Sequence, residues 1–560
     1  ATRIEDVLNS LPSAFAAQNS SVSNGSTGTA TVNLRNLGES RTLVLINGRR
    51  LMPGNPSSSS TASAAADVNM IPASLIKRVD VLTGGAGSVY GSDAIGGVVN
   101  FVLDTDYEGF SVDASGGIYN HNNRSERFQA LSAASGYPAP SGQAFDGTQF
   151  DINFKVGAAT SDGRGHIVGY GGYRKIGAIL QGSRDYSACG LNAPTGNVGN
   201  DYVCGGSATA FPANFSLNDA VEGGPPTGYT LNSAGQLVPG TTLYNANPLN
   251  YYQRPDKRYT AGFLAKYEVS DAFKPYADFM FMDDRSVAQI APSGDFNNTS
   301  VLNSNNPFLS AAQKATFFRD TNLVRDANGN VINLTNPDGS QYQQANVRIG
   351  RRNVEGGGRQ ADLRHTQYRF VAGASGTLDK GISYEAYGQF GSTVFNQVYR
   401  NEFSVSRTTR ALDAITDTRP GSATNGQAVC RSVVDGTDPN CVPLNIFGSA
   451  GISPAALNYV QTPGFQSGEN KETVLNASFT FKGAEYGVQS PFANEGIALN
   501  VGGEYRKESL SLEVDNAFLS GDLAGQGGAT LPIRGSYNVK EAFGELQAPL
   551  VSDCPFFNEL

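Results

Sequence analysis

A membrane-type antiparallel β-barrel, preceded by a small α+β domain, is the fold class that this 560-residue sequence predicts. Three observations predict it. From about Tyr107 onward, apolar and polar residues alternate with period two, the signature of strands with one face in lipid. The connections between these segments alternate between short and long. The composition is rich in Gly (66) and aromatics (10%) and only 16% charged, against about 25% for soluble domains. Coiled coils and helical bundles, built from Ala, Leu, Glu and Lys, are excluded. With 41 basic and 50 acidic residues the net charge is −9, which argues against nucleic-acid binding through a basic surface. No run approaches the ~18 apolar residues of a spanning helix.

The first hundred residues read differently from the rest. A short amphipathic helix is expected over residues 3–11. Three compact apolar runs follow: Thr42-Leu43-Val44-Leu45-Ile46, Arg78-Val79-Asp80-Val81-Leu82 and Gly97-Val98-Val99-Asn100-Phe101-Val102. This mixture reads as a small α+β domain over residues 1–106, with the Ser/Ala stretch 57–66 as a flexible loop. The barrel is then expected over residues 107–560. Phe150, Ile152, Phe154 and Val156 alternate with Asp151, Asn153 and Lys155. Ala261, Phe263, Ala265 and Tyr267 alternate with Thr260, Gly262 and Lys266, with one break at Leu264. Thr473 to Phe481 and Ile497 to Tyr505 repeat the pattern. Ser270-Asp271-Ala272 and the stretch 376–381 are tight turns; 185–250 and 295–341 are long Asn/Gly/Pro-rich loops. Tyr251-Tyr252 and Pro555-Phe556-Phe557 are aromatic clusters of the kind found at membrane interfaces.

Catalytic chemistry finds little support. His121, His166 and His365 have no Cys or carboxylate partner at metal-ligand spacing. The stretch 78–91 runs from an apolar segment into a Gly-rich turn, as a dinucleotide site would, but Gly96-Gly97 would break the required helix and no β-α alternation follows. Gly87-Ser88-Val89-Tyr90-Gly91 lacks the spacing of a nucleophile elbow. The expectation is therefore of no enzyme, no cofactor and no metal. Of five cysteines none forms C-x-x-C; Cys189 with Cys204 and Cys430 with Cys441 are close pairs in loop-like stretches and read as disulfides of an oxidising compartment, leaving Cys554 over.

The segment from Ile71-Pro72-Ala73-Ser74 through Arg78-Val79-Asp80-Val81-Leu82-Thr83-Gly84-Gly85 and Tyr90-Gly91 to Gly96-Gly97-Val98-Val99-Asn100 resembles the plug domain of TonB-dependent outer-membrane receptors. Arg41-Thr42-Leu43-Val44-Leu45-Ile46-Asn47-Gly48-Arg49-Arg50 is similar to that family's plug strand and turn, and Thr2-Arg3-Ile4-Glu5-Asp6-Val7-Leu8 to its opening helix. Arg254-Pro255-Asp256-Lys257-Arg258-Tyr259-Thr260, Gly503-Glu504-Tyr505-Arg506-Lys507-Glu508 and Glu541-Ala542-Phe543-Gly544-Glu545-Leu546 resemble its barrel segments. The resemblance implies a barrel of about 22 strands with the α+β plug in its lumen. It implies import of a scarce nutrient (siderophore, saccharide, peptide or vitamin) across the outer membrane, driven by the inner-membrane TonB protein, with long loops extracellular and short turns periplasmic. A passive porin or surface adhesin is the alternative. Only about ten to twelve strands are countable, so the chain reads as cut at both ends, without the segment that meets TonB.

Residue roles follow as expectations. Gly84, Gly85, Gly91, Gly96 and Gly97 should supply positive φ or close strand approach inside the lumen, alongside Asn47, Gly48, Tyr90 and Asn100 of the plug motif. Ser57, Ser58, Ser59 and Ser60, in the loop 52–66, should either face the ligand cavity and hydrogen-bond a polar ligand or form a solvated linker with no ligand contact. Strand parity puts Val501, Tyr505, Ala542, Gly544 and Leu546 toward lipid and Asn500, Glu504, Arg506, Glu541, Glu545 and Gln547 toward the lumen. Glu504 and Glu545 are then expected to pair with Arg49 and Arg50 across a wet plug–barrel interface, the alternative being that they only line a hydrated wall.

Overall fold

The computed structural model describes residues 4–57, 65–84, 90–91, 93–193, 202–219, 224–336, 338–554 and 557–559. Gly85, Ser58, Ser59, Ser60, Pro555 and Phe556 lie outside the described residues. Among the described residues no helix is long and apolar enough to cross a membrane.

The N-terminal domain is built on a four-stranded sheet: β1 (Thr42–Ile46), β2 (Arg49–Arg50), β3 (Ile76–Leu82) and β4 (Gly97–Leu103), in the order β2-β1-β4-β3. β1 and β4 run parallel, and their near-continuous apolar sequences match their burial. Val44, Ile46, Val99 and Phe101 enter one core with Leu8, Val68, Met70 and Leu75. The expected opening helix is present as Ile4–Asn9.

Ten long strands follow: β5 (Gly109–Asn123), β6 (Gly142–Ala159), β7 (Gly165–Ile176), β8 (Asp256–Tyr267), β9 (Lys274–Pro292), β10 (Gly358–Asp379), β11 (Ile382–Phe403), β12 (Gln461–Lys482), β13 (Ala498–Val514) and β14 (Ile533–Gln547). Each pairs antiparallel with the next in sequence, giving one up-and-down wall. On β6 the apolar Phe150, Ile152, Phe154 and Val156 are exposed while Asp151, Asn153 and Lys155 are half-buried. An apolar outer face with a polar inner face inverts the pattern of a soluble sheet and fits a wall whose outside meets lipid. Against the inner face lies the N-terminal domain. Val168, Tyr170, Leu264, Met280 and Met282 point inward and join its core. The break in alternation at Leu264 is thus a docking contact, and Leu264 is 2% exposed.

The long connections differ from the expected open loops. Residues from the β7–β8, β9–β10 and β11–β12 connections share one hydrophobic core, in which Phe215, Phe317, Val347, Ile349, Leu412 and Cys430 are buried. A seven-stranded sheet centred on Gln341–Arg352 organises this cap. Isolated apolar residues spaced among Asn, Gly and Pro hide such a core from any periodicity test. Tyr251-Tyr252 lie in a separate two-stranded sheet, in a short strand (Tyr251–Gln253) paired with Ile179–Leu180. Two disulfides staple the cap region, Cys189–Cys204 and Cys430–Cys441.

Candidate functional site

Asn47 and Gly48 form a two-residue hairpin turn between β1 and β2, both with positive φ (51° and 77°). Asn-Gly is the dipeptide this geometry favours. Three hydrogen bonds fasten the turn to β4: Asn47 N–H donates to Phe101 O (2.9 Å), Gly48 N–H to Asn100 Oδ1 (2.9 Å), and Leu103 N–H to Asn47 Oδ1 (2.8 Å). Gly97, at φ 136°, begins β4 where an added Cβ would lie 2.3 Å from Leu82 O. Gly91 also has positive φ (87°), and at Gly96 a Cβ would sit 3.1 Å from Arg41 O. Gly84 departs from expectation: its φ is not in the positive range and an added Cβ would meet open space, because the chain has already left the sheet after Leu82. Tyr90 is exposed.

The turn delivers Arg49 into a clamp on the inner wall. Its Nη2 lies 2.5 Å from Glu385 on β11, and its Nη1 lies 3.8 Å from Asp278 on β9. The guanidinium stacks 4.3 Å from the Tyr276 ring centroid, with the Tyr387 ring at 5.3 Å on the wall beside it. Tyr276 O–H donates to Glu385 as well (2.8 Å). Arg50 pairs within its own domain, with Asp93 at 2.6 Å. Asp93 in turn lies 3.6 Å from Arg506 on β13. The expected pairing of Arg49 and Arg50 with Glu504 and Glu545 is therefore corrected. Glu504 faces inward but accepts from Asn476 (3.0 Å), and Glu541 and Glu545 are exposed on β14. Parity assigns a side chain to a face; it cannot say which strands lie opposite the hairpin, and those are β9 and β11.

At the other end of the domain, toward the long connections, a polar cavity of about 390 Å³ opens between the two. Its floor is residues 23–27 and 55–57, including Ser57; its wall includes Arg359, Gln397, Tyr399 and Gln466, and Gln526 and Thr530 of the β13–β14 connection close one side. The size falls within the range of small-molecule sites. Gln397 and Gln466 sit directly opposite each other on β11 and β12 and present amides to the space. Arg359 is held by the wall: Nε donates to Ala291 O (3.0 Å), and Nη1 lies 3.6 Å from Glu402. The floor is anchored beneath by His365 with Asn55 (3.1 Å) and by Thr393 O–H donating to Pro53 O (2.9 Å).

A third polar zone lies between these two. Arg174, Asp256, Arg258 and Asp284 form a ladder of ion pairs at 3.2–3.3 Å on β7 to β9. On β10, Gln367 donates to Asp67 of the N-terminal domain (3.2 Å). The plug–wall interface thus combines polar contacts that water can replace with the apolar contacts of Leu264, Met280 and Met282. No group of His, Cys, Asp and Glu able to hold a metal occurs among the described residues.

The family model of the TonB-dependent receptor plug domain matches residues 1–98. Residues 1–98 are a TonB-dependent receptor plug domain. The chain as a whole is also similar to solved structures at low identity. One is a mutant of the ferric enterobactin receptor of Pseudomonas aeruginosa in complex with enterobactin (13% identity, TM-score 0.45, covering 97% of this chain and 53% of that one). Others are the siderophore receptor PirA of Acinetobacter baumannii (13%, 0.40, 97% and 51%) and the ferric yersiniabactin uptake receptor FyuA of Yersinia pestis (10%, 0.41, 97% and 58%). The chain spans about half the length of these receptors. Sequence reasoning located the plug's Arg49 but missed Glu385, Tyr276 and Tyr387. The signal was available: Tyr384, Ala386, Gly388 and Phe390 alternate with Glu385, Tyr387 and Gln389.

Proposed function

We propose that this receptor chain captures a small polar nutrient in the cavity above the plug and admits it when TonB displaces the plug. Long connections would then face the cell exterior and short turns the periplasm. The observation that carries the reading is the placement of two features at opposite ends of the plug. The cavity lies at the long-connection end, and the Arg49 clamp lies beside the short β8–β9 turn. A ligand bound at one end and a polar fastening at the other suit a gate that is loaded from outside and released from inside. A passive porin or an adhesin has no use for a domain packed across the inner wall through Leu264, Met280 and Met282. The nutrient class (ferric siderophore, saccharide, peptide or vitamin) is decided by binding. The receptor purified from outer membranes should bind one class in calorimetric titration, and Gln397→Ala with Gln466→Ala should weaken that binding at least roughly tenfold, the effect of about 1.4 kcal/mol. Cellular uptake should cease without TonB. Uptake that persists without TonB, at a rate linear in concentration, would favour the porin.

A further inference from the structure

The floor of the cavity above the plug, residues 23–27 and 55–57, lies within two stretches of sequence, 7–34 and 51–66. Neither stretch contains an Asp, Glu, Lys or Arg, in a chain with 16% charged residues. The wall changes character at the same level. Beside the plug its inner face buries Asp284 on β9, Arg369 on β10 and Glu472 on β12. Further along the same strands, on the same face, the cavity meets Ala288, Leu363 and Gln466 instead. Among the described residues lining it, Arg359 is the one ionic group, and its charge is already committed. Nε donates to Ala291 O (3.0 Å), and Nη1 donates to Gly525 O (3.2 Å) and lies 3.6 Å from the buried Glu402.

Charge decides what such a space can hold. Tris-catecholate and citrate complexes of ferric iron are anions, and a peptide brings ionised termini. Taking either out of water calls for oppositely charged partners. The cavity offers hydroxyls and amides instead, among them Ser26, Thr27, Ser57, Thr530, Gln397 and Gln466. Both group types donate and accept, so the set matches a ligand made of hydroxyls. A neutral tris-hydroxamate iron chelate passes the charge test, but it turns its oxygens toward the metal and would leave those groups unpaired. Ala288, Leu363, Phe395 and Leu512 pack as one apolar cluster along the wall and give the space a dry face, suited to the C–H face of a pyranose ring. We infer that the ligand is a neutral saccharide, free of carboxylate, phosphate and sulfate groups. The assignment rests on the reading of this cavity as the capture site.

Calorimetric titration of the receptor purified from outer membranes, at low and high salt, tests it. The probes are neutral oligosaccharides of glucose, galactose, mannose and xylose, the matching uronate-bearing oligosaccharides, a ferric tris-catecholate and a ferric tris-hydroxamate. A neutral oligosaccharide should bind, with an affinity that salt leaves unchanged. Its uronate counterpart should bind at least roughly tenfold more weakly. Gln526→Ala with Thr530→Ala, where the β13–β14 connection closes the cavity, should weaken the sugar roughly fivefold or more. The charge and salt comparisons use the parent receptor alone, so a poorly folded variant does not shelter the inference. Tighter binding of an anionic or iron-bearing probe than of every neutral sugar overturns the saccharide and leaves TonB-driven capture standing. Absence of binding by every neutral sugar overturns it too. A sugar that binds the folded double variant as tightly as the parent sits elsewhere, which also overturns it. A bound sugar whose uptake continues without TonB keeps the saccharide and removes the transport reading instead.

Discussion

Arg49 of the plug hairpin and Glu385 of β11 lie 2.5 Å apart, and Tyr276 hydrogen-bonds the same carboxylate, so one residue of the wall holds two partners at the plug boundary. Arg49 is 13% exposed and Glu385 43%, which places the pair between a surface bridge and a buried one.

Removing that carboxylate should loosen the plug and leave the wall intact. Glu385→Gln is expected to cost the plug–wall contact ~1–2 kcal/mol. Single-molecule pulling on the plug should show a lower release force, with the wall's thermal midpoint nearly unchanged. Glu504→Gln and Glu545→Gln serve as comparisons and should leave the force where it was.

A backbone test separates two glycines of one motif. Gly97→Ala drives a Cβ into Leu82 O and forces an unfavourable φ, so the plug should lose at least ~2 kcal/mol. Gly84→Ala meets open space and should be close to neutral. Limited proteolysis of the plug in the assembled receptor reports both.

The cap should weaken as pH rises through the mildly acidic range. Burial pushes the Asp295 carboxyl up to about 6, against the backbone N–H groups of Asn298 and Thr299 that donate to it. A pKa raised on folding contributes stability that is full below the unfolded value of about 3.9 and is lost as pH rises through the folded one. Tyrosine fluorescence should therefore show the cap's melting temperature falling between about pH 4 and about pH 6. Asp295→Asn should flatten that slope; an unchanged slope would assign it to other groups.

Cys430→Ser with Cys441→Ser should destabilise the cap alone. The bond closes a separation of 11 residues, for which chain entropy predicts roughly 3 kcal/mol. Hydrogen exchange should quicken in the helix Val405–Leu412 and the strand Gln341–Arg352 and stay constant in β4.

Legibility in the sequence followed the range of the interactions. The β6 alternation of Phe150, Ile152, Phe154 and Val156 could be read directly because lipid on one side and a wet lumen on the other act residue by residue. The Asn47-Gly48 turn was equally legible, since its backbone geometry is set locally. Leu264 showed as an irregularity whose meaning depended on a domain more than 150 positions away. The partner of Arg49 and the core around Phe215 and Val347 were not legible. Both depend on which distant segments meet, and neither leaves a periodic trace.

A core shared by several connections has a consequence for the mouth of the receptor. Phe215, Phe317, Leu412 and Cys430 come from three separate excursions of the chain, yet each packs against residues of the others. No single excursion can swing away without stripping the remaining two of their apolar cover. The rim should therefore respond cooperatively, as one lid with a single opening equilibrium, and a ligand that favours the closed position of any one segment biases all three together.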